Sequence, residues 1–289
     1  MLDPKFFDYP ATTSSEVHVI SQQHHKHATI QDITYPSPAG GQVPAYLIVP
    51  DRQGPFAGMI FVHWGQLDRH EFVDEAMILA ELGVVSLCID APTRRPRALQ
   101  ANIPAETAAR DLGLQIVADV RHGIDILAAR PDIDLQRLGY VGHSYGATNG
   151  GIIAGVEKRF KTYVLMAGYA SMSDAYRVSN HPFLSKWRHR TSWEEQERYL
   201  HLIEPLDAVH YIGYATPASA FFQFSHQDEF VSEEQALRYF EAANHPKQMR
   251  WYDSSHELNA QARMDRARWL CQELKLGSLP ARIETKLSE

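Results

Sequence analysis

The chain has 289 residues, 44% hydrophobic and 22% charged, a composition typical of a globular protein with a full core. Its formal net charge of −7 argues against nucleic acid as the main partner. No apolar run approaches the roughly 20 residues that a membrane helix needs. The first residues lack a basic stretch followed by an apolar core, so we expect no secretory signal and a cytoplasmic protein.

Neither the cysteines nor the clustered histidines of the chain have the spacing of a metal site or a disulfide framework. Its two cysteines, Cys88 and Cys271, are too few for a zinc motif, and we expect two buried free thiols. The histidines at positions 24, 25 and 27 lack a fixed partner, which favours solvated side chains over metal ligands. The sequence therefore predicts no metal site.

Eight short segments have the pattern of β-strands. Residues 29–35 and 43–49 alternate between apolar and polar positions and flank a turn-rich stretch, which predicts an antiparallel hairpin. Continuous apolar runs, typical of strands covered on both faces, predict the others. These runs are 58–62, Val84–Ile89, 138–141, 163–166, 218–224 and 248–252.

Helical patterns separate these strands. They cover residues 72–82, 106–129, 147–156, 232–243 and 257–274. Gly83 ends the first helix, and Pro131 stops the second. Alternation of strands and helices predicts an α/β fold, with a mostly parallel sheet and helices on both faces.

The segment 168–217 interrupts this alternation, because about 50 residues are too many for a plain connection between strands. It is rich in aromatic residues: Tyr176, Phe183, Trp187, Trp193, Tyr199, Tyr211 and Tyr214. We expect a small helical cap over the strand ends; the alternative is a surface insertion with no role in binding. The predicted organisation is an N-terminal extension (1–28), a core (29–167 and 218–276), the cap (168–217) and a frayed or loosely packed tail (277–289).

A G-x-S-x-G motif lies at residues 142–146, between a predicted strand and a predicted helix. This is the setting of a nucleophile elbow, in which a sharp turn exposes a serine at a strand tip. A serine hydroxyl is a weak nucleophile until a base takes its proton. The motif therefore predicts Ser144 as a nucleophile, the alternative being an ordinary glycine-rich turn.

Two further polar loops follow strands, where sites of doubly wound sheets lie. Asp228 comes after the strand at 218–224, and His256 comes after the strand at 248–252. The order serine, acid, histidine is that of the α/β-hydrolases and differs from the orders of the major serine proteases. Asp253 is a rival for the acid, since it lies three residues before His256.

The sequence resembles the α/β-hydrolase superfamily, and within it the dienelactone-hydrolase-like and acetyl-xylan-esterase-like group. The segments that carry the resemblance are 46–50, 61–65, 142–146, 228–231 and 256–258. It spans about residues 29–274 and implies an eight-stranded sheet with the second strand antiparallel. It also implies an acid one strand before the histidine, which favours Asp228 over Asp253.

In this family the serine attacks an acyl carbonyl, which gives Ser144 that role. His256 would take the proton and return it to the leaving group, while Asp228 holds the His256 tautomer. No metal or cofactor is required. The family's dienelactone hydrolases proper use a cysteine nucleophile, so Ser144 favours esters over that lactone.

The resemblance also implies an oxyanion hole. The backbone N–H of Tyr145 would be one donor, and Gly65 matches the family's second donor position, with Gln66 as the alternative. Trp64 stands where the family usually has glycine. We expect Trp64, Gln66 and His143 to line the substrate pocket, and His63 to brace the loop.

These features favour a serine carboxylester hydrolase that acts through an acyl-enzyme on a small or aromatic ester. The alternatives are a prolyl-oligopeptidase-type peptidase or amidase, a dienelactone-type lactone hydrolase and a ligand receptor without turnover. In the peptidase alternative, Glu194 and Glu195 could hold a peptide amino terminus. The expected partner is a small molecule, and an exposed sheet edge near the N-terminal hairpin permits a homodimer.

Overall fold

Nine strands form one sheet in a computed structural model that describes residues 2–10 and 16–288. The strands lie in the order β1-β2-β3-β5-β4-β6-β7-β8-β9. Their bounds are β1 His18–His24, β2 Ala28–Pro36, β3 Gln42–Pro50, β4 Phe56–Val62, β5 Val84–Ile89, β6 Ile133–His143, β7 Thr162–Met166, β8 Ser219–Ser225 and β9 Lys247–Tyr252.

Strand directions match the predicted mostly parallel sheet. Neighbours are parallel from β5 to β9, whereas β3 runs antiparallel to both β2 and β5. The second of the eight predicted strands, β3, is therefore the antiparallel one. The count of eight was wrong by one, because β1 adds an antiparallel edge strand within the predicted N-terminal extension. All its side chains are exposed, so β1 has no buried face and no hydrophobic pattern.

Helices pack on both faces of the sheet. They are α1 Val73–Glu81, α2 Ala108–Ala128, α3 Tyr145–Val156, α4 Met172–Val178, α5 Pro182–Arg190, α6 Trp193–Ile203, α7 Glu233–Ala242, α8 Ala260–Glu273 and α9 Ala281–Ser288. One apolar core joins the sheet to α2, α3 and α7, and a second joins it to α1 and α8. The predicted α/β layering is confirmed. The carboxyl ends of the parallel strands remain free to carry loops.

The end of the chain is better packed than the sequence predicted. Residues 281–288 form α9, and its side chains Ile283 and Leu287 are fully buried against Met264 and Ala267 of α8. The two apolar residues are four positions apart, so they share one helix face. The expectation of a frayed or loosely packed tail was wrong.

We expect Ile283→Ala to lower the free energy of unfolding by about 2–5 kcal/mol, since it leaves a cavity under α9. Thr285→Ala, an exposed change on the same helix, is the control, with an expected effect below about 0.5 kcal/mol. Urea unfolding of both variants measures the difference. Equal stabilities would show that α9 is frayed in solution.

The segment 168–217 contains α4, α5 and α6 followed by short 3-10 turns. It leaves the sheet after β7 and returns at β8, so it starts at the same sheet edge as the elbow after β6. An aromatic cluster holds the three helices together: the ring of Tyr176 lies 4.8 Å from Trp187 and 4.9 Å from Tyr199.

Within the described residues, neither cysteine is paired, and no cluster of histidine, cysteine, aspartate and glutamate could hold a metal ion. Cys88 and Cys271 are both buried, and burial raises the pKa of each thiol. Among the helices that the structure describes, none combines the length and apolar character needed to cross a bilayer.

Candidate active site

Ser144 occupies the tight turn between β6 and α3. Its backbone has φ 51° and ψ −101°, a conformation that non-glycine residues rarely adopt. Hydrogen bonds hold this strained turn: Ser144 N–H donates to Met166 O at 2.7 Å, and Ser144 O accepts from Thr148 N at 2.8 Å. The serine therefore sits on a rigid support at the sheet edge.

The two glycines of the motif permit this turn because the backbone passes very close to both. A Cβ on Gly146 would lie 2.1 Å from Val62 O, and one on Gly142 would lie 2.4 Å from the carbonyl carbon of Gly146. No side chain fits at such distances. The contact with β4 thus requires the second glycine, and the tightness of the turn itself requires the first.

His256 and Asp228 lie on the loops after β9 and β8 and contact each other directly. His256 Nδ1 donates to the carboxylate of Asp228, at 2.9 Å from Oδ1 and 2.8 Å from Oδ2. Both side chains are 2% exposed. The carboxylate also accepts the N–H groups of Phe230 and Val231, at 2.8 and 2.9 Å, which fix its orientation.

The other ring nitrogen of His256 makes no hydrogen bond within the described residues. This nitrogen, Nε2, is buried. Because Nδ1 carries the hydrogen that Asp228 accepts, Nε2 of the neutral ring presents a lone pair. The rival acid, Asp253, is exposed directly after β9, and the Nδ1 of His256 binds Asp228 instead.

The loop after β4 lies beside the elbow. A Cβ placed on Gly65 would contact the Tyr145 Cβ at 3.6 Å, so the backbones of Gly65 and Tyr145 adjoin. The Trp64 N–H is bound by the carboxylate of Glu71 at 2.7 Å. That bond leaves Gly65, or Gln66 beyond it, as the second candidate donor to an oxyanion.

His63 braces this loop as a neutral ring. Its Nε2 accepts from Ala91 N–H at 2.9 Å, and its Nδ1 donates to Trp64 O at 2.6 Å. Burial lowers the pKa of His63, which agrees with a single neutral tautomer. We therefore assign this side chain to loop support.

A pocket of about 400 Å³ opens at Ser144. Its walls come from the loop after β4, from α2 and α3, and from the segment 168–217. Among the described residues, the side chains that line it include no aspartate, glutamate, lysine or arginine. Phe230 joins the pocket to the histidine, since its ring lies 4.6 Å from that of His256.

Of the three predicted pocket residues, one lines the pocket and two do not. Trp64 lines the pocket, and its ring meets the His256 ring edge-on at 5.2 Å. Gln66 is exposed outside the lining, because the loop turns away after Gly65. His143 is also absent from the lining: it is buried behind the elbow and donates from Nε2 to His256 O at 3.0 Å. The expectation that Gln66 and His143 line the pocket was wrong.

Residues 100–268 match the sequence model of the prolyl oligopeptidase family. The match covers more than half of the chain. The chain belongs to the prolyl oligopeptidase family. No curated protein matches the sequence.

Solved structures similar to this prolyl oligopeptidase family member share its fold. The acetyl xylan esterase from Paenibacillus sp. R4 is 18% identical, with a TM-score of 0.76 over 89% of this chain and 88% of that one. Acetyl xylan esterase 1 from Thermoanaerobacterium sp. JW/SL YS485 is 16% identical, with a TM-score of 0.76 over 95% and 92%. A 2,6-dihydroxy-pseudo-oxynicotine hydrolase is 18% identical, with a TM-score of 0.63 over 81% and 65%. The predicted α/β-hydrolase fold is confirmed.

One polar residue beside the candidate site, Glu71, was not predicted from the sequence. Glu71 precedes α1 and contacts both Trp64 N–H and His143. No motif marks it, because a glutamate after a strand is common and its two partners, Trp64 and His143, are far from each other in the sequence. Only the folded loop reveals that it joins the two.

Proposed function

We propose that the protein is a serine carboxylester hydrolase that works through an acyl-enzyme on Ser144. The observation that carries this proposal is the His256 ring, held by Asp228 at Nδ1 and free to accept at Nε2. The neighbour of the serine, His143, is hydrogen-bonded to the His256 backbone, so the elbow and the histidine loop adjoin.

The chemistry follows from these positions. Ser144 Oγ attacks the ester carbonyl as its proton passes to His256 Nε2, and the N–H groups of Tyr145 and Gly65 hold the oxyanion. Collapse expels the alcohol, which takes the proton from His256. Water then attacks the acyl-enzyme with His256 again as base, releases the acid and restores Ser144.

The pocket favours a neutral ester over a peptide with a charged amino terminus. Binding a buried ammonium requires a paired carboxylate, and in the part of the chain that the structure describes no carboxylate lines the pocket. Glu195 caps α6, since its side chain accepts the Ser192 N–H at 2.8 Å. Glu194 is exposed outside the lining. The similar structures named as acetyl xylan esterases agree with ester hydrolysis.

We further propose that the segment 168–217 is a cap that selects a small or aromatic group. Side chains from this segment line the pocket: Tyr169, Met172, Tyr176, His181, Phe183, Leu184, Tyr199, Ile203 and Leu206. Aromatic and aliphatic walls bind apolar groups of matching shape. A homodimer and a cytoplasmic location stay predictions, which solution mass and fractionation of the native source would test.

Steady-state hydrolysis of p-nitrophenyl esters with acyl chains of two to twelve carbons tests the proposed function. We expect turnover of short and aryl esters and none of aminoacyl or prolyl amides. Efficient amide hydrolysis would favour the peptidase alternative, which the family match makes the second candidate. A preference for the longest chains would contradict a small walled pocket.

We expect Leu112→Trp to reduce kcat/KM for bulky esters on the order of tenfold and to spare acetate esters, because Leu112 lines the pocket from α2. Leu114→Trp is the control, since Leu114 lies outside this lining on the same helix. The measurement is kcat/KM for two pairs of esters. The members of one pair differ in the size of the acyl group, and those of the other differ in the size of the alcohol. Equal losses for large and small esters would contradict the assigned pocket.

A further inference from the structure

Glu71 joins two parts of the candidate site that are far apart in sequence. Its Oε2 accepts the N–H of Trp64 at 2.7 Å, and its Oε1 contacts His143 Nδ1. The Glu71 side chain is 12% exposed and that of His143 is 2% exposed, so water competes little for these bonds. Trp64 precedes the candidate oxyanion donor Gly65.

His143 continues the connection to the base. It donates from Nε2 to His256 O at 3.0 Å, and its ring lies 5.3 Å from the His256 ring. The Trp64 ring packs edge-on against both histidines, at 5.5 Å from His143 and 5.2 Å from His256. Glu71 thus links the oxyanion loop to the histidine loop through one buried chain of bonds.

The hydrogen bonds that join Glu71, His143 and His256 determine where the hydrogens lie on the His143 ring. A carbonyl oxygen only accepts, so Nε2 of His143 must carry a hydrogen. The contact between Nδ1 and Glu71 then requires a second proton, on the ring or on the carboxyl group. A glutamine at position 71 could replace these bonds: its oxygen would accept from Trp64, and its amide would donate to Nδ1 of a neutral His143.

We infer that Glu71 is a positioning residue for ester hydrolysis, an inference that rests on the proposed function. Glu71 touches no reacting atom; it sets the position of the Gly65 N–H and, through His143, that of the His256 ring. Displacing a catalytic group by about 1 Å can cost on the order of 100-fold in rate. Since neither Glu71 nor His143 lines the pocket, we expect their loss to lower kcat more than it raises KM.

Two substitutions at position 71 test the inference. We expect Glu71→Ala to lower kcat about 100-fold, with KM unchanged within about threefold. Glu71→Gln should keep kcat within about fivefold of the unsubstituted enzyme, because the amide preserves all three hydrogen bonds. The measurements are kcat and KM on p-nitrophenyl acetate, with thermal unfolding of each variant.

Glu75 provides the matched control. It lies on α1, one helical turn after Glu71 in the sequence, and its side chain is 5% exposed, somewhat less than that of Glu71. It binds Arg266 Nε at 2.8 Å from its Oε1, and neither residue lines the pocket. Glu75→Ala, or Glu75→Gln if the alanine variant does not purify, should lower stability and leave kcat of the folded enzyme unchanged. If Glu75→Ala lowered kcat as much as Glu71→Ala, lost stability would explain both effects, and the inference would be overturned.

A double substitution tests whether Glu71 acts through His143. If it does, Glu71→Ala combined with His143→Ala lowers kcat little beyond the worse single variant, instead of multiplying the two losses. Fully multiplicative losses, a kcat of Glu71→Ala within threefold of the unsubstituted enzyme, or a Glu71→Gln variant as slow as Glu71→Ala would each overturn it.

The control Ser144→Ala separates this inference from the proposed function. Ester turnover that Ser144→Ala abolishes establishes the serine hydrolase independently of Glu71. A fully active Glu71→Ala then overturns the positioning role alone. Turnover that survives in Ser144→Ala overturns both.

Discussion

Ser144→Ala should reduce ester hydrolysis by roughly 10⁵- to 10⁶-fold in kcat, because removing the nucleophile leaves only binding and the oxyanion donors. The small alanine side chain fits the elbow, since the turn is held by backbone hydrogen bonds to Met166 and Thr148. We therefore expect a folded variant. Initial rates on p-nitrophenyl acetate measure the loss.

Ser185→Ala is the matched control for this substitution. Ser185 lies on α5 outside the pocket lining, and its loss should leave kcat unchanged within about twofold. Near-wild-type unfolding of both variants would show that the difference arises in the site. A Ser144→Ala enzyme that keeps more than a few per cent of the activity would contradict the assigned nucleophile.

Asp228→Asn should lower kcat by about 10⁴-fold, although it hardly changes the size of the side chain. The carboxylate accepts the hydrogen on His256 Nδ1 and two backbone N–H groups. An amide in its place presents a donor to Nδ1 and favours the tautomer with hydrogen on Nε2. In the proposed mechanism, Nε2 of His256 would then have no lone pair to accept the proton of Ser144.

Asp253→Asn distinguishes the two candidate acids. Asp253 is exposed and lies in the same loop as His256, so its neutralisation should change kcat by no more than about twofold. The kcat values of both variants at the same pH, on the same ester, give the comparison. A large loss in Asp253→Asn with an active Asp228→Asn would reverse the assignment.

The sequence predicted those parts of the fold that local patterning specifies. Strands buried on both faces appear as continuous apolar runs, such as Val84–Ile89. The elbow appears as two glycines, one required by the close approach of β4 and the other by the tight turn itself. Asp228 and His256 could be found because parallel strands end at one edge, so loops after successive strands meet there.

Features specified by tertiary contacts could not be predicted from the sequence. The exposed strand β1 depends on backbone pairing with β2, and a strand without a buried face carries no alternation. Helix α9 is stabilised by its contact with α8, which a short amphipathic segment does not reveal alone.

The position of His143 was also mispredicted, because the sequence does not reveal how the elbow orients the side chain before its serine. That side chain turns away from the pocket, toward Glu71 and the backbone of His256. Glu71 meets the N–H of Trp64 only after the loop following β4 has folded.

One labelling experiment decides whether Ser144 is the nucleophile of an acyl-enzyme mechanism. The protein is incubated with diethyl p-nitrophenyl phosphate, and both the released p-nitrophenolate and the protein mass are measured. We expect one diethylphosphoryl group per chain, located on the peptide that contains Ser144, together with loss of ester hydrolysis. A protein that hydrolyses esters but takes no label, or takes it on another residue, would contradict the mechanism.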